Sequence, residues 1–225
     1  MGGPNDKAMN RRTLLAQSSA ALAFAALAAP AWGQARAAAL TPQDRADVAR
    51  IEAYLNSVRS LQSRFFQLAP DGRTSGGQAW LVRPGRLRFE YDPPAPFLLV
   101  GGNGLLVFHD KQLKQTSNVP LSSTPLGLLL QDNLRLAGDV TITALQRLPG
   151  QIQVTLVRTR APQEGSLTLI FADNPLALRQ WVVTDAQRLE TRITLTDIRL
   201  GGNYDNKLFE FVDPRFFQGA GGGAG

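Results

Sequence analysis

The sequence predicts a mainly β fold with added α: a long antiparallel meander that curls toward a barrel and is plugged or lidded by two helices. Three observations carry this expectation. Short β-rich runs separated by turn signals recur through residues 61–214. Side chains alternate within them, most clearly in "RPGRLRFEYD", where Leu87, Phe89 and Tyr91 fall on one side and Arg88, Glu90 and Asp92 on the other. Two segments instead carry helix caps followed by apolar residues. Arg86 and Arg88 belong to a strand's polar face, but Arg83 stands apart, because the turn signal Pro84-Gly85 follows it and can re-aim its side chain.

Residues 1–33 read as an export signal. Lys7, Arg11 and Arg12 form a basic start, "ALAFAALAA" is apolar, and "AWG" offers small residues for cleavage. The apolar run is too short to span a bilayer. The arginine pair in "NRRTLLA" fits a twin-arginine signal as well as an ordinary secretory one. A flexible alanine-rich lead follows at residues 34–40, and a single domain is expected over residues 41–217.

That domain opens on "LTPQDRADVARIEAYLNSV". Thr41 can cap a helix, Pro42 fits the first turn, and Asp44 comes close to completing a capping box. Val48, Ile51, Leu55 and Val58 then share one face, with Arg45, Asp47, Arg50 and Glu52 on the other. Such a helix must cover something apolar.

Strands are expected from "LQSRFFQL" onward, among them "GGQAWLVR", "RLRFEYD", "FLLVGG", "GLLVFHD", "KQLKQTS" and, last, "KLFEFVDP". Joints such as "PDGRTSGG", "GGNG" and "LPGQ" are mostly short enough for hairpins. One greasy element interrupts the series: in "SSTPLGLLLQDN", Thr124 caps and Pro125 opens a short helix carrying Leu126, Leu128, Leu129 and Leu130. Those leucines should press onto an apolar opening. Residues 218–225, nearly all glycine and alanine, are expected to be disordered.

Composition excludes several functions. Net charge is +6, falling to +4 without residues 1–33, which hold Asp6, Lys7, Arg11 and Arg12. The basic residues lie scattered among acidic ones, so nucleic acid is not an expected partner. With no cysteine there is no disulfide, thiol nucleophile, thiolate metal site or lipidated cysteine. Carboxylates do not cluster at a metal-binding spacing, and no cofactor is expected. His109, the single histidine, adjoins Asp110 on a strand end, where alternation points the two apart. "GGNG" lacks the helix of a phosphate loop and reads as a hairpin turn. An outer-membrane barrel would need aromatic girdles, but the chain has 3 Trp and 3 Tyr, so the apolar faces should point inward.

In order, "GGQAWLVRPGRLRFEY", "VGGNGLLVFHDKQLKQ", "TPLGLLL" and the closing "TDAQRLETRITLTDIRL…FEFVDP" resemble the LolA family, the periplasmic carriers of outer-membrane lipoproteins. The resemblance covers nearly all of the chain after residue 33. It departs at Asn103, where the family often has Asp, at Phe89, where Trp is common, and at Arg188, where a turn glycine is usual.

The resemblance implies an unclosed antiparallel β-barrel, covered by a helical lid over a hydrophobic cavity. Leu87, Phe89, Tyr91, Phe97, Leu99, Leu126 and Leu129 are the expected lining. It also implies that Arg83 latches the empty lid by donating to backbone carbonyls at residues 126–130. The receiving relative is itself a lipoprotein, so a chain without cysteine falls on the soluble carrier side. The implied setting is the periplasm. The implied partners are acylated lipoproteins as cargo, an inner-membrane lipoprotein-releasing ABC transporter, and an outer-membrane acceptor where one exists. A monomer without catalytic activity is expected. A binding protein for another amphiphilic lipid would use the same cavity, and an envelope hydrolase would have to work through His109 and Asp110.

Overall fold

A computed structural model describes residues 37–212. The expected export signal and the Gly-rich tail lie outside these residues, as do residues 34–36 of the lead and 213–217 of the domain. The chain begins with the expected helix, α1 (Pro42–Ser57). Thr41 and Asp44 form a full capping box, each side chain bonding the other's backbone. Six strands follow: β1 (Ser60–Leu68), β2 (Thr74–Val82), β3 (Arg86–Tyr91), β4 (Phe97–Gly102), β5 (Leu105–Asp110) and β6 (Gln115–Pro120). Helix α2 (Pro125–Leu129) is capped by Thr124 with Pro125 at its start. Five more strands complete the sheet: β7 (Val140–Leu148), β8 (Gln151–Arg158), β9 (Gly165–Ala172), β10 (Ala177–Asp185) and β11 (Glu190–Leu200).

All eleven strands form one sheet in the order β6-β5-β4-β3-β2-β1-β11-β10-β9-β8-β7. Two meanders of consecutive antiparallel hairpins are therefore joined along one seam, where β1 pairs with β11. Outer strands β6 and β7 do not pair with each other, so the barrel is unclosed. The β4–β5 hairpin turns on Asn103 and Gly104, both at positive φ, as a two-residue primed turn requires.

Residues 121–139 connect β6 to β7 and so cross from one edge of the sheet to the other. Laid flat, eleven strands would separate those edges by about 48 Å. The sheet curls instead and brings its edges together: Arg158 at the end of β8 donates to the Ser122 carbonyl beside β6 at 2.6 Å. The crossing segment thus runs over the concave side and carries Leu128, Leu129, Leu130, Leu134 and Leu136 into the core. Helix α1 joins it there through Ile51 and Leu55.

Three expectations at the level of elements need correction. The described part of "KLFEFVDP", residues 207–212, is not a strand: Asp205 caps a short 3-10 turn, Asn206–Phe209, which packs on the convex face. Arg88 donates to the Leu208 carbonyl, and Phe211 lies against His109 at 5.2 Å. Buried Leu98, Val100 and Phe209 complete this small outer cluster, which satisfies the apolar residues a strand would otherwise have buried. "KQLKQTS" is strand only from Gln115, because Asp110 accepts from the N–H groups of Gln112 and Leu113 and turns the chain there. Asp47, expected on the polar face of α1, is 1% exposed, for reasons given below.

Among the described residues no helix is long and apolar enough to cross a membrane.

Candidate functional site

Alternation along β1–β5 sends one side chain in two toward the concave face, and the aromatic residues fall there in a row. Phe89 meets Trp181 at 6.2 Å and Phe65 at 5.0 Å. Phe65 meets Tyr91 at 5.0 Å, Tyr91 meets Phe97 at 5.7 Å, and Phe97 meets Phe108 at 5.4 Å. The row leads from the buried centre to the open edge, where Phe108 is 38% exposed. Gly77 makes room for it: a Cβ there would come within 2.7 Å of the Phe65 ring and 2.1 Å of the Glu90 carbonyl. Burial pushes the Tyr91 phenol up to about 12, so it stays neutral and donates to Gln67 at 2.7 Å.

The expected lining residues occupy this interior, though not around an open void. Leu87, Phe89 and Leu129 are core residues; Tyr91, Leu99 and Leu126 pack against that core, and Phe97 continues the aromatic row. A cavity of about 30 Å³ remains beneath α1 and α2, which is room for about one water. Leu129 alone of the seven borders it, beside Leu55, Leu61, Leu81 and Leu178. Two basic residues, Arg59 and Arg83, also line it.

Arg83 follows the last residue of β2 and is 8% exposed. Its Nη1 donates to Asn56 Oδ1 of α1 at 3.5 Å, the outer limit of a hydrogen bond. The expected bond to the lid carbonyls is therefore not the one formed. Leu130 O accepts instead from the Gly85 N–H at 2.9 Å, because the tight turn brings backbone to that carbonyl and sends the arginine side chain under α1. Burial depresses the Arg83 pKa, nearby Arg59 depresses it further, and Asp132 opposes both.

Sequence reasoning missed the residue that receives Arg83. Asn56 also accepts from the Leu134 N–H at 2.8 Å and donates to the Leu134 carbonyl at 2.9 Å, tying α1 to the crossing segment. Glu52 adds a bond from the Leu136 N–H at 2.7 Å. At the other end of α1, Arg147 of β7 reaches Asp44 at 2.7 Å and Asp47 at 2.6 Å, and Arg50 bridges Asp47 to Asp173. This network is why Asp47 lies buried. Both helices are thus fastened by polar contacts over an apolar floor.

His109 and Asp110 are not brought together. His109 Nδ1 lies 3.0 Å from the Thr116 hydroxyl on the convex side, while Asp110 holds the following turn. Ser63, on the concave face of β1, is 1% exposed, and its Oγ has no hydrogen-bond partner among the described residues.

The model of the family described as "Outer membrane lipoprotein carrier protein LolA" matches residues 56–212. The chain belongs to the LolA family. An outer-membrane lipoprotein carrier protein of Methylococcus capsulatus is 32% identical over 192 residues, covering 81% of this chain and 89% of that protein. The protein of the same name in Pseudomonas aeruginosa is 28% identical over 180 residues, covering 76% of this chain and 86% of that one. Among solved structures, a LolA superfamily protein from Nitrosomonas europaea aligns with a TM-score of 0.41 at 12% identity, covering 73% of this chain and 97% of that one. The family match over residues 56–212 takes in Asn56, the turn at Arg83 and α2, while Asp44, Asp47, Arg50 and Glu52 of α1 precede it.

Proposed function

We propose that this LolA-family chain is a soluble periplasmic chaperone that takes up the acyl chains of lipoproteins released from the inner membrane and delivers them toward the outer membrane. The carrying observation is the fastened lid: two helices press Ile51, Leu55, Leu128 and Leu129 onto an apolar, aromatic-lined floor and are tied down by polar contacts at their ends. Each methylene moved from water into such an interior gains about 0.8 kcal/mol, so acylated cargo leaves a bilayer only for a comparable environment. A cavity of about 30 Å³ is the closed state, and uptake requires α2 and the end of α1 to lift.

Lifting breaks the Arg83–Asn56 contact and the Gly85–Leu130 bond. At roughly 1 kcal/mol each, these lower cargo affinity by about one to two powers of ten. That loss keeps the cargo transferable. Arg83 is the latch in this scheme, acting through α1 rather than directly on α2. Leu87, Phe89, Tyr91, Phe97, Leu99, Leu126 and Leu129 form the surface that the opened lid exposes to acyl chains.

Residues 1–33 serve as the export signal, residues 41–217 as the carrier domain, and residues 218–225 as a tail outside it. The chain works as a monomer and without catalysis. It receives cargo from an inner-membrane lipoprotein-releasing ABC transporter and passes it to an outer-membrane acceptor where one is present.

Native mass spectrometry of Arg83→Leu recovered from the periplasm tests the scheme. Co-purifying acylated polypeptide, retained beyond the wild-type level, is the expected result. A folded but empty variant would overturn the carrier, and cargo retained equally by both proteins would overturn the latch alone.

A further inference from the structure

Arg83 brings into the core a charge that its surroundings leave uncompensated. Two other charges lie close to it, Arg59 and Asp132, and they neutralise each other: Arg59 reaches the Asp132 carboxylate at 2.5 Å and its carbonyl at 3.0 Å. The set of three therefore keeps one net positive charge at the wall of an apolar cavity. The acceptor nearest Arg83, Asn56 Oδ1, is neutral, lies 3.5 Å away and is already held by Leu134 N–H at 2.8 Å.

Burying a guanidinium with so little compensation is costly, and a Leu or Met would fill the same space without that cost. A purely mechanical clasp does not need a full charge; an anionic ligand does. A guanidinium offers its N–H donors in a planar fork that matches two oxygens of one carboxylate or phosphate. Leu55 and Leu129 of the lid helices border the same cavity from above, and Leu61 and Leu81 border it from the sheet and continue inward as the apolar floor.

We propose that Arg83 is a head-group site, and that this chain also binds amphiphiles in which anionic oxygens, a carboxylate or a phosphate, terminate an acyl chain. The head would displace Asn56 from Arg83, while Asn56 keeps its bonds to Leu134 and stays in place. The chain would lie along the floor toward Phe65 and Phe89. A neutral ester or alcohol head would leave the positive charge unmatched, so charge at the head sets the preference. The proposal rests on the reading that the lid opens over an acyl-binding floor.

Displacement of N-phenyl-1-naphthylamine, a neutral apolar fluorophore, from the delipidated protein provides the test. Laurate, dodecyl phosphate and dodecanol share one chain length and differ in the head. Laurate, dodecyl phosphate or both should compete at least tenfold more strongly than dodecanol, and which of the two does so identifies the carboxylate or the phosphate as the natural head. Arg83→Leu, which also lacks the latch, should bind all three more nearly alike, with dodecanol bound more tightly than by the wild type and the charged heads no longer preferred; Arg83→Lys should keep part of the preference. Equal competition by all three against the wild type would remove the head-group site and leave the acyl-binding floor. Failure of all three to displace the fluorophore would remove the floor as well. Because the wild-type preference decides the matter, a misfolded Arg83→Leu variant would not rescue the proposal.

Discussion

Ser63 and Arg83 are polar groups set into apolar walls, and their hydrogen bonding differs. Arg83 has one long bond to Asn56, whereas the Ser63 hydroxyl has no partner among the described residues. An unsatisfied buried hydroxyl costs about 1–3 kcal/mol, so Ser63→Ala should stabilise the protein by about 1 kcal/mol. A urea-unfolding midpoint that rises without a change in slope would show it. The turn signal "RPG" marked the point at which Arg83 leaves the strand, because proline and glycine constrain backbone locally. Its acceptor was not legible, since Asn56 lies 27 positions earlier and meets it only through the packing of α1 on β2. Arg188 illustrates the same boundary: it occupies the family's turn-glycine position and adopts φ 66, a backbone state visible in sequence only by that comparison.

For the elements, α1 is the part most dependent on charge. Thr41 holds Asp44 below its ordinary pKa of 3.8, with Arg147 adding to the effect. As pH falls the unfolded carboxylate takes up its proton first, so this stabilisation is full above about pH 4 and is lost as pH drops through the lower folded-state value. Asp71 and Asp92, held down by Arg73 and Arg64, act in the same direction. The melting temperature should therefore be flat from neutral pH to about 4 and fall below it, and Asp44→Asn should show a shallower fall. The cap itself was readable, because Thr41, Pro42 and Asp44 act within one turn. The burial of Asp47 was not: helical periodicity assigns a residue to a face, and Arg147, its partner, comes 100 residues later. For the same reason "KLFEFVDP" read as a strand, since its alternating apolar residues pair with a convex-face cluster instead of another strand.

At the scale of the whole molecule, hydrogen exchange should separate floor from lid. Amides of β1, β2, β10 and β11 should exchange slowest, and those of residues 121–136 faster. Asn56→Ala, which removes two bonds of 2.8 and 2.9 Å to Leu134, should speed exchange in that segment while leaving the sheet unchanged. Uniform protection of lid and sheet would mean that they open only together. The antiparallel meander was legible because hairpins are local, and the order of hairpins largely dictates the sheet. What local signals did not reveal is that the meander is broken into two, with the strand nearest the start of the domain paired to the last.

That seam has a consequence for how the molecule comes into being. Leu61 pairs with Leu200, so the middle of the sheet joins residues roughly 140 positions apart, while every other strand pair is a sequence neighbour. Each arm can assemble from its own hairpins as soon as it is synthesised, but neither gains its central neighbour until the final strand arrives. Chains cut short before β11 should remain two open arms without a common interior, and refolding of the full chain should slow on weakening Phe65 or Leu195 at the seam more than on equal losses at β4–β5. The polypeptide is thereby kept from completing its sheet until β11 has been made, and the interior between the two arms is the last part of the molecule to close.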